Sequence, residues 1–374
     1  MTTSFSATTP DLELDLGHRV LRFPAVWLRD NCPCARCLDQ GTGQKLTSVT
    51  DLPAQCAVAA VEEAAESIAV VYAPDGHRSV FSRSWLESHA LTGPGPGDGR
   101  GEDDKDLWQA ADLAGRLPAG TWQRYCDDPA HREFCLDAIM RYGFVLLRDV
   151  PVRPGTVLEV AESFGYPRET NYGRLFDVQV QADPNHLALT SREIMPHTDN
   201  PYRDPVPTVQ LLHCLRNAAE GGDTGLVDGF AAAALLRAQD PGSFAILTAT
   251  PVPFAFRDSG TELRSSRPLI EVDPRGRLRG VRFNNRTAQA LRLGYQEVVE
   301  FYAAYRRWAE LLARPQLRLK LRLVPGDCLI FDNTRVLHAR TAFARVGDRH
   351  LQGCYADLDS LASSLAILRR GEPA

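Results

Sequence analysis

Lysine is nearly absent. Of the 42 basic residues in 374, only three are Lys, and the formal net charge is −5. A chain without a basic field is poorly suited to nucleic acid, so that class of partner is excluded. The preference for Arg over Lys, together with abundant Ala, reads as the coding bias of a GC-rich, bacterial-type genome and not as a binding signal. No stretch approaches 18 apolar residues, and no basic segment followed by an apolar run opens the chain. Membrane insertion and secretion are therefore not indicated, and a cytoplasmic protein is expected. No internal repeat is visible. Overall composition is that of an ordinary globular protein, which excludes disordered and collagen-like classes. The length suffices for one large domain or two unequal ones.

What is present includes nine cysteines, which in a reducing compartment point to metal before disulfides, above all where they cluster. Three of them fall within six residues, Cys32-Pro-Cys34-Ala-Arg-Cys37. Thiolates on such a tight turn can converge on one tetrahedral ion, the alternative being free thiols in a loop. A closed structural site needs a fourth ligand, for which His77 and His89 are the nearby candidates. Short alternating apolar segments at residues 12–23 and 57–72 flank the cluster and read as a small β-rich unit. A unit of that size gains folding free energy from a bound metal.

Residues 92–105 are rich in Gly and Pro and then acidic, which marks a linker or exposed loop. The expected organisation is an N-terminal domain over 1–95, a linker and entry helix over 96–120, and a catalytic domain over 121–374. Helical spacing is read at 108–125, 129–142 and 156–164, with a buried strand at 143–150 between the last two. From residue 197 onward the apolar runs are brief and turn-bounded, which predicts several short strands with few helices, as in a sandwich or jelly roll.

The chemistry centres on Met195-Pro-His197-Thr-Asp199-Asn-Pro-Tyr202. A histidine and an aspartate two residues apart can ligate one metal from a strand end, and His338, in an apolar-flanked run, supplies a second imidazole. Two histidines and one carboxylate form the facial triad that leaves positions open on non-haem iron(II). Arg349 follows His338 by eleven residues, and the turn Gly221-Gly-Asp-Thr224 offers a hydroxyl. An Arg fork binds a carboxylate more specifically than a Lys point charge. Together these residues describe a pocket for a dicarboxylate beside a metal.

With these residues in view, the chain resembles the γ-butyrobetaine and trimethyllysine hydroxylases of the taurine-dioxygenase branch of iron(II)/2-oxoglutarate oxygenases. Stretches that carry the resemblance are Val26-Trp-Leu-Arg-Asp-Asn-Cys-Pro-Cys34, His197-Thr-Asp199, Val209-Gln-Leu-Leu-His-Cys214, Gly221-Gly-Asp-Thr224, Phe283-Asn-Asn285, Pro325-Gly-Asp327, Phe331-Asp-Asn333 with Leu337-His338, and Arg349-His-Leu-Gln-Gly353. The resemblance implies a mainly β fold with flanking helices (α+β), a double-stranded β-helix (jelly roll) catalytic domain plus a small β-rich N-terminal zinc-binding domain. It implies structural zinc on Cys32, Cys34, Cys37 and His77, iron(II) on His197, Asp199 and His338, and 2-oxoglutarate held by Arg349 and Thr224. Other expected partners are molecular oxygen, a small and cationic substrate, and a second copy of the chain in a homodimer.

A trimethylammonium group has no hydrogen to donate and is attracted instead to aromatic faces. The family's cage positions match Tyr172, Phe176, Leu189 and Tyr355, with Phe where the animal γ-butyrobetaine enzymes have Trp and Leu where they have Tyr. Core packing is the alternative role for each ring. Asn284 matches a family carboxylate contact, and His186 stands where asparagine is usual, a replacement that would favour a more highly charged group such as a phosphonate. The function implied is hydroxylation of a small trimethylammonium compound, first of all γ-butyrobetaine to L-carnitine in carnitine biosynthesis. A related substrate (trimethyllysine, a trimethylaminoalkyl phosphonate or a specialised-metabolite amino acid) is the alternative. A non-catalytic metal-binding protein would not need open metal positions.

Overall fold

The computed structural model describes residues 11–15, 20–91, 102–179, 190–344 and 349–371. The chain divides into two compact units, Met1–Gly97 and Asp98–Ala374.

In the first unit, β1 (Asp11–Asp15) and β2 (Val20–Pro24) form a hairpin that leads into the short helix α1 (Ala25–Asp30). Strands β3 (Ala57–Glu63), β4 (Ser67–Ala73) and β5 (Arg78–Ser82) form an antiparallel sheet, followed by α2 (Arg83–Ser88). Alternation is plain in β2 and β5, where one residue in two is buried. Leu21, Phe23, Leu28, Ile68, Val70, Tyr72, Phe81 and Leu86 close a small core of the unit's own.

The second unit begins with β6 (Ala119–Thr121), α3 (Trp122–Asp127), α4 (Pro129–Tyr142), β7 (Phe144–Arg148) and α5 (Thr156–Glu162). Helix α4 starts on Asp128, whose carboxylate accepts from the N–H groups of Ala130 and His131, and stops at Gly143 in the left-handed region. The continuous helix expected over 108–125 is replaced by a 3-10 turn and the short strand β6, because Gly115, Pro118 and Gly120 interrupt the spacing. Next come β8 (Phe176–Gln179), β9 (Ile194–His197), β10 (Val209–Asn217) and β11 (Thr224–Asp228). An insertion follows with α6 (Gly229–Gln239), α7 (Pro241–Ala249), β12 (Val252–Arg257), β13 (Glu262–Arg267), β14 (Ile270–Val272), β15 (Leu278–Val281) and α8 (Tyr295–Leu312). Strands β16 (Arg318–Leu321), β17 (Cys328–Asp332), β18 (Val336–Arg340), β19 (Arg349–Ala356) and helix α9 (Leu358–Arg369) complete the chain. The reading of few helices after residue 197 is thus corrected: α6, α7 and α8 pack on one another around Phe230, Leu247, Phe301 and Trp308 and form a separate core.

Six strands in the order β6-β7-β17-β10-β19-β8 form one sheet and four in the order β16-β11-β18-β9 the other. From β9 onward the chain passes from one sheet to the other at almost every turn, which is the double-stranded β-helix. Period-2 alternation decides what each face carries. In the larger sheet Val209, Leu211, Cys328 and Ile330 point to α4, α5 and α9, while Leu212, Cys214, Leu329 and Phe331 fill the space between the sheets. A buried Arg335–Asp228 ion pair, 2.8 Å apart and with no side-chain exposure on either partner, ties β18 to the end of β11. Arg335 also donates to the carbonyls of Arg141 and Asp106.

Candidate active site

Strands β9 and β18 are antiparallel neighbours with His197 directly opposite His338. Side chains opposite each other in such a pair share a face, and the two rings stand 4.1 Å apart between centroids. Asp199 follows on the turn after β9, its Oδ1 3.3 Å from His197 Nε2 and its Oδ2 4.0 Å from His338 Nε2. The donor atoms of all three residues lie within 4.8 Å of one another, and among the described residues no fourth His, Cys or carboxylate joins them.

The protonation states suit a divalent metal. Burial lowers the pKa of His197, and burial together with the neighbouring His197 pushes His338 down to about 3, so both imidazoles keep a lone pair. Burial works to raise Asp199, but its electrostatic surroundings, the Arg286 guanidinium among them, hold its carboxyl well below the usual range. His197 Nδ1 lies 2.9 Å from the Met195 carbonyl, which takes the N–H and leaves Nε2 for a metal. Two neutral imidazoles and a carboxylate with an open side are the donor set of a non-haem iron(II) centre.

Asn333 and Gln210, which sequence reasoning did not single out, hold Asp199 in place together with Tyr355, which was expected only as a cage ring. Asn333 Oδ1 accepts from the Asp199 N–H at 2.7 Å, and its Nδ2 donates to the carbonyls of Asp199 and Pro207, each at 3.0 Å. Gln210 Nε2 and the Tyr355 hydroxyl both donate to Asp199 Oδ2, at 2.9 and 3.0 Å. Burial and the adjacent carboxylate push Tyr355 well above the ordinary phenol value, so it stays a donor. Thr198 fixes the same turn from behind: its N–H reaches the Phe283 carbonyl at 2.8 Å and its Oγ1 accepts the Phe283 N–H at 3.1 Å.

The triad opens on a cavity of about 770 Å³. Alternation explains the lining from the larger sheet: Arg349, Leu351, Gly353 and Tyr355 are successive odd positions of β19, and Gln210 opposes Tyr355 from β10. Phe176 opposes Gly353 from β8. A Cβ added at 353 would lie 2.5 Å from Phe176 Cζ, so only glycine admits the ring there. Tyr172, Phe176 and Tyr355 form a chain of rings, with centroids 6.3 and 5.1 Å apart. Phe256 and Tyr202 extend it, and the hydroxyls of Tyr172 and Tyr202 are 3.0 Å apart.

Arg349 is buried at the opposite part of the lining, with its guanidinium 5.6 Å from the Phe343 ring and its Nε without a partner among the described residues. Gly222, at φ +73°, lies beneath it, where an added Cβ would stand 3.1 Å from Arg349 Nε. Thr224 is buried on β11 in the same lining. Arg340 also faces the cavity but donates to the carbonyls of Thr190 and Arg192. Asn284 lines the cavity with both ends of its carboxamide engaged: Nδ2 donates to the Thr198 carbonyl, and Oδ1 accepts from the Arg286 N–H. His186 and Leu189 lie outside the described residues.

In the first unit Cys32, Cys34, Cys37 and His77 form one cluster. The three sulfurs stand 3.1, 3.6 and 3.6 Å from His77 Nε2. Cys34 and Cys37 sit on a turn closed by the Cys37 N–H to the Cys34 carbonyl, and His77 on the β4–β5 turn, where its N–H donates to Asp75 Oδ1. Arg29 Nη1 lies 3.3 Å from Cys37 Sγ and its Nε binds Asp75, which offsets thiolate charge. Four S/N donors with no open side fit a structural zinc. His89 is no rival: it is exposed and stacks on Trp85 at 4.2 Å.

Residues 111–355 match the family model described as taurine catabolism dioxygenase TauD, TfdA family, and residues 11–87 match gamma-butyrobetaine hydroxylase-like, N-terminal. A gamma-butyrobetaine dioxygenase of Pseudomonas sp. (strain AK-1) is 36% identical over 94% of this chain and 92% of its own. A trimethyllysine dioxygenase of Meyerozyma guilliermondii is 32% identical over 99% and 96%, and the gamma-butyrobetaine dioxygenase of Homo sapiens 32% identical over 93% and 91%. The chain belongs to the TauD, TfdA family, and is an iron(II)- and 2-oxoglutarate-dependent dioxygenase with a gamma-butyrobetaine hydroxylase-like N-terminal domain.

Proposed function

We propose that this dioxygenase hydroxylates a small trimethylammonium compound, in the first place γ-butyrobetaine to L-carnitine. The observation that carries the reading is the ring cluster of Tyr172, Phe176 and Tyr355 on the cavity that opens over His197, Asp199 and His338. A quaternary ammonium in contact with several ring faces gains about 0.5–2 kcal/mol from each without needing a hydrogen-bond acceptor. Relatives that act by name on γ-butyrobetaine and trimethyllysine support the same substrate class.

In this reading His197, Asp199 and His338 hold iron(II), and Arg349 with Thr224 takes the distal carboxylate of 2-oxoglutarate. The bound pair supplies the oxidising power, since decarboxylation of 2-oxoglutarate to succinate and CO2 is coupled to insertion of one oxygen atom of O2 into a C–H bond. The chain's own part is positional. Gln210 and Tyr355 occupy one oxygen of Asp199 and turn the other toward the metal; the ring cluster fixes the cation and so selects which methylene faces the reacting centre. Among the described residues no helix is long and apolar enough to cross a membrane. A homodimer in the cytoplasm completes the proposal and is checked by light scattering and cell fractionation.

Succinate release across a panel of γ-butyrobetaine, trimethyllysine and trimethylaminoethylphosphonate tests the assignment. γ-Butyrobetaine should stimulate turnover most. If another member stimulates it and γ-butyrobetaine does not, the first assignment fails.

A further inference from the structure

Four arginines line the cavity; Arg257 is largely exposed and faces Glu262, which leaves the guanidinium groups of Arg286, Arg340 and Arg349. Arg340 is engaged by two backbone carbonyls. The other two each keep a buried nitrogen with no partner among the described residues, Nε in Arg349 and Nη1 in Arg286. A buried cationic donor left unpaired is costly, and on the wall of a cavity it is the group that gains most from an anionic ligand. 2-Oxoglutarate brings two carboxylates, but one is adjacent to its keto group and goes to the metal with it. Its single distal carboxylate can satisfy only Arg349.

Arg286 stands elsewhere in the lining. Its backbone N–H donates to Asn284 Oδ1 at 3.1 Å, and its Nε approaches the same oxygen at 3.5 Å, which steers the rest of the fork away from Asn284. Asn284 is itself tied to the Thr198 carbonyl, one residue from Asp199, so the fork is mounted on the turn that carries the metal ligand. Asp199, Tyr172, Tyr202 and Tyr355 lie within electrostatic reach of Arg286, which sets it beside the ring cluster. The Asp199 carboxylate beside Arg286 is committed to the metal in this reading, so a trimethylammonium group near the guanidinium calls for a further anion. A small zwitterion meets that condition, with its positive end on the rings and its negative end on the guanidinium.

We propose that Arg286 is the seat for the anionic end of the substrate, so that the enzyme selects zwitterions carrying an oxyanion a short methylene chain away from the trimethylammonium group. This rests on the trimethylammonium reading above and adds the residue that distinguishes a betaine from a simple quaternary amine. Asn284, expected to touch a substrate carboxylate, acts in this account as the group that positions Arg286.

The test is anaerobic calorimetry on the holoenzyme loaded with iron(II) and 2-oxoglutarate, titrated with γ-butyrobetaine and with its carboxamide, which keeps the cation and loses the charge of the acid. Wild type should bind the acid about 30-fold or more tightly than the amide, the cost of leaving a buried charge unpaired. In Arg286→Gln the preference should shrink to within about threefold, with Arg286→Lys intermediate because it keeps the charge but not the fork. 2-Oxoglutarate affinity should be unchanged in both variants and fall in Arg349→Gln. Equal binding of acid and amide by wild type, which needs no variant, overturns the proposal. So does a preserved preference in a folded Arg286→Gln, or a loss of 2-oxoglutarate binding in its place. If γ-butyrobetaine does not bind but trimethyllysine or trimethylaminoethylphosphonate does, the first substrate assignment fails alone, and the same comparison of that ligand with its neutral ester decides the role of Arg286. If no trimethylammonium oxyanion binds, both fail.

Discussion

Asn333→Ala should damage the metal site without touching a ligand side chain. Asn333 makes three buried hydrogen bonds, to the N–H and the carbonyl of Asp199 and to the carbonyl of Pro207, all at 2.7–3.0 Å. The side chain is 1% exposed, so water does not replace it. One backbone donor and two acceptors then lose their partner, at about 1 kcal/mol or somewhat more for each, which sums to about 3–4 kcal/mol. Asp199 is also released from the pose that Gln210 and Tyr355 complete, and loss of such a support lowers metal affinity by about 10–100-fold. Two assays follow the two consequences: urea unfolding of the metal-free protein, and iron(II) titration in the presence of excess 2-oxoglutarate. Asn333→Asp is the control, because it keeps the acceptor for the Asp199 N–H but sets a carboxylate against two carbonyls; it should be no better than alanine. A destabilisation below about 1 kcal/mol with unaltered iron affinity would refute the clamp.

Other outcomes follow from the same geometry. Arg335→Met leaves Asp228 buried and uncompensated and should cost about 3–5 kcal/mol, measured by the same unfolding assay, whereas an exposed pair such as Arg78–Glu62 should contribute under about 1 kcal/mol. Gly353→Ala should push the Phe176 ring out of its place and weaken binding of a trimethylammonium ligand by about tenfold, with 2-oxoglutarate binding retained; an unaltered ligand affinity would show that Phe176 is not part of the recognition surface. Cys37→Ser should lower zinc content by metal analysis and open residues 20–91 to proteolysis, since the small core around Phe23, Tyr72 and Phe81 leans on the metal for stability. Full zinc content in that variant would count against the four-ligand site.

The residues of the two candidate metal clusters were legible because chemistry restricts such ligands to few residue types. A Cys-x-Cys-x-x-Cys cluster and a His-x-Asp pair stand out in any sequence; His338, Arg349 and Thr224 were read in the runs that follow the pair, and the resemblance favoured His77 over His89. The brief strands after residue 197 were legible as short turn-bounded apolar runs, and α4 by its helical spacing over 129–142. What was hidden is what depends on the third dimension. Gln210 reads as one polar residue in an apolar strand; only its register opposite Tyr355 turns it toward Asp199. Asn333 is 134 residues from the turn it clamps, and no local pattern carries that information. Arg286 follows two asparagines in what reads as a surface loop. Helices α6 and α7 were underestimated because α7 is short and largely apolar and α6 is rich in alanine, so neither shows the polar face by which a helix announces itself; α8 does show one and was passed over.

In the proposed reading His197, Asp199 and His338 together hold iron(II) with room left for 2-oxoglutarate. Anaerobic addition of both to the metal-free protein, followed by visible absorption, tests it most directly. The account predicts a weak charge-transfer band that saturates at one iron per chain in wild type and is lost in His338→Ala. A band of undiminished intensity in that variant, or none in wild type, would contradict it.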